Sequence, residues 1–99
     1  MEVAFDDDNL DRLETDPRFT EGRPPAIVKA YRKRMQTIRA ASDERDFYSL
    51  KSLRFKKLEG TRKHQHSMRL NDQYRLILEL LKENPQGTVV KVVSIEDYH

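Results

Sequence analysis

The sequence predicts an α+β fold in which a short N-terminal strand and two helices accompany a twisted, mainly antiparallel sheet, with the helices on one of its faces. Apolar residues recur every three to four positions between residues 27 and 38, which is the period of a helix. Between residues 66 and 95 they tend to alternate at every second position, which is the period of strands. The 99-residue chain is expected to form a single domain, residues 1–99.

The first half of the chain is predicted to contain a strand and two helices. A short strand in "MEVAF" is followed by three aspartates, residues 6–8, which supply an N-cap and an acidic first turn for a short helix. Pro25 suits the first turn of the second helix, because its missing N–H would be unpaired there in any case. This helix is expected to run to about Ala41, with an apolar stripe formed by Ile27, Tyr31, Met35 and Ile38.

The second half is predicted to form an antiparallel meander of three strands, after a loop with a helical turn in "SDERDFYSLKSL". The strands lie in "HQHSMRL", "YRLILELL" and "TVVKVVSIED", and the turn sequences "NDQ" and "KENPQG" separate them. In the middle strand Leu76 and Leu78 share one face, while Arg75 lies on the opposite, partly exposed face. The last strand is expected to lie inside the sheet and to bury either Val90 and Val92 or Val89 and Val93.

Composition excludes several classes of protein. The chain has no cysteine, so disulfides and thiol nucleophiles are excluded and a reducing cytoplasm is compatible. No apolar run approaches the roughly 18 residues that a membrane span needs. The acidic N-terminal sequence does not resemble a secretory signal. We therefore expect a cytoplasmic protein that does not associate with membranes.

The charges are unevenly distributed, although the net charge is only +2. Residues 1–16 carry seven acids and one arginine, whereas residues 17–42 and residues 47–70 each carry seven basic residues and one glutamate. A basic body with an acidic corner favours a polyanionic partner. The second helix could contact RNA or an acidic protein through Arg32, Lys33 and Arg39. The alternative is that these residues form an ordinary solvated helix face.

Two clusters are weak candidates for chemistry. His64 and His66 lie two apart on a predicted strand and could hold a metal together with His99, but no carboxylate completes the set. A structural histidine beside a turn is the simpler interpretation, so no metal site is expected. The segment "RFKKLEGTRK" is predicted to be a basic loop whose cations can contact phosphate oxygens. A lysine-rich loop without function is the competing interpretation.

The last residues form the third candidate. Asp97, Tyr98 and His99 follow directly on a strand that fixes their position. Histidine exchanges a proton near neutral pH. Tyrosine can take part in acid–base chemistry beside a cation, or can stack on an exposed base. The alternative is a tail with chance polar residues.

The region from about Leu53 to His99 resembles the HigB-type killer toxins of the RelE superfamily. The resemblance rests on "KLEG" after a basic stretch, on "SMRLNDQYRL" and on the terminal "EDYH", in this order and spacing. The N-terminal half matches in outline, as two helices of which the second is basic. The resemblance implies a RelE-like fold and a toxin that enters the ribosomal A site and cuts mRNA there. It also implies inhibition by a HigA-type helix-turn-helix antitoxin, which would provide the only contact with operator DNA.

In this chemistry a ribose 2′-OH attacks the adjacent phosphate, and the resemblance implies no metal or cofactor. A base for the hydroxyl, cations for the phosphate and an acid for the 5′-oxygen are required. Residue by residue, the resemblance assigns catalytic roles to Lys56, Arg75, Asp97, Tyr98 and His99. Contacts with RNA are expected from Lys57, Arg62, Lys63 and Arg69.

The sequence departs from the family pattern at three positions. Lys56 stands where the family often has histidine, Lys57 where such toxins often have proline, and Glu59 where a basic residue precedes the glycine. Losing a histidine and a cation weakens a site that handles an anion. Two alternatives to an active nuclease therefore stay open: a ParE-like toxin that binds a protein target, and a non-catalytic RNA-binding or regulatory relative.

Overall fold

The computed structural model describes residues 1–83 and 87–98 and shows a five-stranded sheet with helices on one face. The helices are α1 (Asp8–Thr15), α2 (Pro25–Ala40) and α3 (Arg45–Ser49). The strands are β1 (Glu2–Phe5), β2 (Lys56–Lys57), β3 (His66–Arg69), β4 (Tyr74–Glu83) and β5 (Gly87–Asp97), in the sheet order β1-β5-β4-β3-β2. Strand β1 pairs with β5 in parallel, and the other three pairings are antiparallel. The predicted fold class is confirmed.

The two main helices form where the sequence predicts them. Asp7 is the N-cap of α1, and its side chain accepts a hydrogen bond from the Asn9 N–H at 2.7 Å. Helix α2 begins at Pro25 and ends at Ala40, and the whole predicted stripe from Ile27 to Ile38 is buried. The loop after α2 forms α3 and a 3₁₀ turn at Lys51–Leu53, which place Phe47 and Leu53 in the core.

The core lies between the helices and one face of the sheet. Leu76 and Leu78 of β4 contribute to it and are fully buried, as the alternation predicted. Met68 of β3 pairs with Leu76, so it lies on the same face. Val90 and Val92 of β5 are also fully buried, which confirms the first of the two predicted alternatives for this strand. We call the opposite side of the sheet the open face.

A β-bulge in the last strand changes which residues reach the open face. Ile77 pairs with Ser94 and Leu78 pairs with Val92, so Val93 is an extra residue without a partner on β4. Before the bulge the even-numbered residues of β5 face the core. After it the odd-numbered ones do, since Ile95 packs against the core and pairs with Leu76. Glu96 therefore lies on the open face.

Two local predictions need correction. His64 lies in a turn, because strand β3 starts only at His66, so the two histidines are not strand neighbours. The predicted basic loop contains the two-residue edge strand β2 and a 3₁₀ turn at Gly60–Arg62. The turn predicted in "KENPQG" lies largely outside the described residues. Within the described part of the chain, no helix is both long and apolar enough to cross a membrane.

Candidate active site on the open face

Neighbouring strands place two basic residues and a serine on the open face. Lys56 of β2 pairs with Ser67 of β3, and Ser67 pairs with Ile77 of β4. Arg75 lies two residues before Ile77, so it shares this face and is a diagonal neighbour of Ser67. The end of β5 runs antiparallel beside Arg75, with Glu96 directly opposite it. The open face thus joins residues that are up to 40 positions apart in sequence.

Tyr98 lies between the two cations of this face. The Arg75 guanidinium carbon is 3.7 Å from the centre of the Tyr98 ring. The Lys56 ammonium donates to the Tyr98 hydroxyl at 3.5 Å and lies 5.5 Å from the ring centre. The Tyr98 backbone N–H donates to the Gln73 carbonyl at 2.6 Å, which fixes the chain beyond β5. The structure therefore brings together three of the residues that the sequence predicted as catalytic.

Of the other two predicted catalytic residues, Asp97 and His99, the structure describes only Asp97. Asp97 pairs with Tyr74, and its carboxylate accepts a hydrogen bond from the Gln73 amide at 3.1 Å. Because strand residues alternate between faces, this carboxylate leaves the sheet on the side opposite to Arg75. An orienting role through the β3–β4 turn therefore suits Asp97 better than contact with a phosphate. His99 lies outside the described residues.

Arg75 is a partly buried cation, and two of its nitrogen donors have no partner in the described part of the chain. Its Nε and Nη1 atoms are shielded from solvent, and neither has a hydrogen-bond partner among residues 1–83 and 87–98. The fully buried Ser67 hydroxyl is likewise unpartnered within that part of the chain. Buried donors of this kind normally find an acceptor, so the unpartnered nitrogens of Arg75 make this part of the open face a candidate place for an anion.

The Glu96 carboxylate, which lies opposite Arg75 in the strand register, is bound by Arg62. Arg62 binds Glu96 through two parallel hydrogen bonds, from Nη1 at 2.8 Å and from Nη2 at 2.7 Å. The Ser94 hydroxyl also donates to Glu96, at 2.9 Å. The bonds from Arg62, followed by the one from Ser94, hold the pKa of Glu96 below its usual value. The same pair raises the pKa of Arg62.

Of the four residues predicted to contact RNA, two are exposed and two are hydrogen-bonded to carboxylates. Lys57 and Lys63 are exposed, as an RNA contact requires. Arg69 is directly opposite Arg75 but is hydrogen-bonded to Asp72. Arg62 already uses both terminal nitrogens on Glu96.

The basic residues of α2 are also partly used within the fold. Arg32 donates to three carbonyls, those of Leu13, Asp16 and Phe19, at 2.9, 3.0 and 3.1 Å. Arg39 binds Glu14 in a bidentate pair, at 2.6 and 2.7 Å. Lys33 remains exposed. Of the three helix residues that the sequence singled out, Lys33 is therefore the one best suited to contact a partner.

The histidines do not form a joint metal site in the described part of the chain. The His66 ring stacks on Phe55, with ring centres 4.9 Å apart and an interplanar angle of 7°. Burial lowers the pKa of His66, so the neutral imidazole is favoured. The His64 Nε2 atom instead lies 3.9 Å from a carboxylate oxygen of Glu79. No group of three or more potential metal-ligating side chains was found among the described residues.

Sequence reasoning did not single out Ser67 or Glu96. Ser67 stands in an alternating strand, and its position suggests only a residue on the open face. Glu96 precedes the singled-out tail by one residue, and the bulge at Val93 decides which face it occupies. Recognising either residue requires the strand register, because no local pattern distinguishes them.

Two comparisons of sequence identify the family. A family model described as the RelE-like toxin HigB of a type II toxin–antitoxin system matches residues 3–99. The chain is also 33% identical over 79 residues to Toxin HigB-1 of Vibrio cholerae serotype O1 (strain ATCC 39315 / El Tor Inaba N16961). That alignment covers 80% of this chain and 83% of the relative. The chain belongs to the HigB-like toxin family.

The structural comparison supports the fold. The YoeB/ParE toxin from Agrobacterium tumefaciens superposes with a TM-score of 0.60 over 100% of both chains, at 11% sequence identity. The family model, and not the structural likeness, makes this chain a RelE-like toxin of a type II toxin–antitoxin system. A toxin of such a system has an antitoxin as its partner.

Proposed function

We propose that this HigB-like toxin is a ribosome-dependent mRNA endonuclease. A ribose 2′-OH attacks the adjacent phosphorus, and the bond from phosphorus to the 5′-oxygen breaks, which stops translation of the cut message. The observation that supports this proposal best is the position of Tyr98 between Arg75 and Lys56 on the open face. An aromatic ring flanked by two cations matches the base and the phosphate of a single nucleotide.

The proposal assigns a task to each residue of the site. Arg75 stabilises the charge that develops on the phosphate, because its planar fork matches two oxygens. Lys56 contributes a second cation, and Tyr98 stacks on a base or assists removal of the 2′-OH proton. His99 donates a proton to the leaving 5′-oxygen. Asp97 orients its neighbours through Gln73, since a carboxylate in contact with the phosphate would be repelled.

The expected partners follow from the same mechanism. The toxin acts in the cytoplasm on mRNA in the ribosomal A site and contacts RNA through the exposed Lys57 and Lys63. We propose a HigA-type helix-turn-helix antitoxin as its inhibitor, which would also provide the link to operator DNA. Binding to RNA should weaken steeply with salt, because each neutralised phosphate releases counterions.

The test is to express the toxin and the Arg75→Met variant and to map mRNA 5′ ends, with and without ribosomes. The proposal predicts new 5′ ends within translated messages only for the parent toxin and only with ribosomes present. Growth arrest with intact mRNA in both would contradict it and would favour a toxin that binds a protein target. Binding to ribosomes without cleavage or growth arrest would favour a non-catalytic relative.

Lys56 offers a matched pair of variants within this test. Lys56→His places there the residue that HigB-type toxins often have, so cleavage should be preserved or raised. Lys56→Ala removes the cation beside Tyr98, and cleavage should fall because the phosphate loses one of its two cations. Equal activity in both variants would show that the side chain at this position does not act on the RNA.

A further inference from the structure

Arg75 and Glu96 are cross-strand neighbours that do not pair. They lie directly opposite each other on β4 and β5. Side chains at opposed positions of an antiparallel pair have Cβ atoms about 5 Å apart, and opposite charges there normally attract. Nevertheless, the described residues contain no hydrogen bond from Arg75 to Glu96, and the Nε and Nη1 atoms of Arg75 stay unpartnered there.

Glu96 is instead held by Arg62, which arrives from the 3₁₀ turn at Gly60–Arg62. Both carboxylate oxygens are engaged by the two Arg62 nitrogens, at 2.7 and 2.8 Å, and one also accepts from Ser94. Arg62 is in turn fixed by the Gln65 side chain, to which its Nε donates at 2.9 Å. The carboxylate therefore has little freedom to turn toward Arg75.

We infer that Arg62 is a positioning residue that holds Glu96 away from Arg75 and so keeps Arg75 available for an RNA phosphate. The inference rests on the proposed function and extends it to a residue outside the reacting groups. An unpaired carboxylate opposite Arg75 would neutralise the cation and would repel the phosphate. Arg62 removes both effects with a bidentate pair, which is the strongest geometry available to an arginine and a carboxylate.

This role differs from the direct RNA contact that the sequence suggested for Arg62. A direct contact would use terminal nitrogens that Glu96 already occupies. The two roles make opposite predictions when Glu96 is also changed. If Arg62 contacts RNA, the Arg62→Ala variant stays impaired whatever stands at position 96. If Arg62 restrains Glu96, removing the carboxylate restores activity.

The first arm of the test measures mRNA cleavage on ribosomes for Arg62→Ala, Glu96→Gln and the double variant. We expect Arg62→Ala to lower mRNA cleavage about tenfold. Losing a donor that contacts the transition state directly typically costs more, roughly 10²–10³-fold. Glu96→Gln and the double variant should cleave within about threefold of the parent. Arg45→Ala is the matched control, since it removes another bidentate pair, with Asp43, without a link to the open face.

The second arm does not depend on cleavage. The pKa of the Glu96 carboxyl is measured by NMR titration in the parent, in Arg62→Ala and in Arg62→Ala/Arg75→Met. We expect the pKa to be clearly lower in Arg62→Ala than in Arg62→Ala/Arg75→Met, because Glu96 pairs with Arg75 only in the former, whereas the bond from Ser94 is common to both variants. Equal pKa values in the two variants would overturn the inference.

The two arms separate the inference from the proposed function. A parent toxin that cleaves no mRNA would overturn the nuclease proposal, and the titration would still report whether Glu96 turns toward Arg75. A cleaving parent whose Arg62→Ala loss is not rescued by Glu96→Gln would overturn the inference alone. Thermal unfolding of each variant shows that the comparison is made between folded proteins.

Discussion

Arg32 and Arg75 are both half-buried arginines, yet their surroundings are opposite. Arg32 lies on the helical side and donates to three carbonyls at the end of α1 and in the following loop. Arg75 lies on the open face, and its buried Nε and Nη1 have no acceptor within the described residues. A satisfied buried cation stabilises the fold, whereas an unsatisfied one is a candidate for binding a ligand.

The same contrast extends to the tyrosines. Tyr31 is fully buried among the helices, and its hydroxyl donates to the Leu10 carbonyl at 2.7 Å. Burial raises the pKa of Tyr31 far above its ordinary value, so the hydroxyl stays protonated. Tyr98 is 49% exposed and lies against two cations. The helical side therefore holds polar groups that serve stability, and the open face holds polar groups that can act on a substrate.

The largest expected effect concerns the last three residues, which begin with the final residue of β5. Deleting residues 97–99 should abolish cleavage, and His99→Ala alone should lower it by about 10²–10⁴-fold, as loss of a general acid does. Stability should fall by only about 1 kcal/mol, because the deletion leaves the buried Val90 and Val92 of β5 in place. Cleavage assays and thermal unfolding measure the two effects. A large loss of stability would mean that these residues serve the fold.

Arg75→Met tests the open-face half of the comparison. Cleavage should fall by about 10²–10³-fold, since a donor to the transition-state phosphate is lost. The free energy of unfolding should change little, or rise, because an unpartnered buried cation is replaced by an apolar chain. Chemical denaturation beside the cleavage assay gives both values. Arg75→Lys should be intermediate, since it keeps the charge but not the planar fork.

Arg32→Met tests the helical half. It leaves three carbonyls without their donor, so the free energy of unfolding should fall by about 1–3 kcal/mol. Cleavage per folded molecule should stay unchanged below the new melting temperature. If Arg32→Met abolished cleavage in a protein that remained folded, the division between a structural side and a functional side would be wrong.

The smallest effect is expected from His66. Burial lowers its pKa in the fold below the value of 6.5 in the unfolded chain. As the pH falls, the unfolded chain therefore binds a proton on His66 before the folded chain does. The stabilisation is fully present above about pH 6.5 and is lost as the pH falls through the lowered pKa of the folded state. The melting temperature should drop by less than about 5 °C across this range. In His66→Phe, which keeps a ring beside Phe55, this part of the pH dependence should disappear.

Much of the architecture was predictable because it depends on local patterns. The stripe of α2, the proline at its start and the alternation through Leu76 and Leu78 each follow from the geometry of a single element. The resemblance to HigB-type toxins likewise pointed to the right family. The pairing of β2 and the turn at His64 were harder, because a two-residue edge strand leaves almost no periodic signal.

The sequence by itself determined which residue types are available to the site: two cations, a tyrosine and a tail that follows a buried strand. Only the tertiary structure decided which of them meet. The bulge at Val93 moves even-numbered residues from the core side to the open side, so that Glu96 comes to lie opposite Arg75. Arg62 then engages Glu96 from a different part of the chain. Alternation is local and visible in a sequence, whereas a bulge and an ion pair depend on the partner strand and on a distant turn.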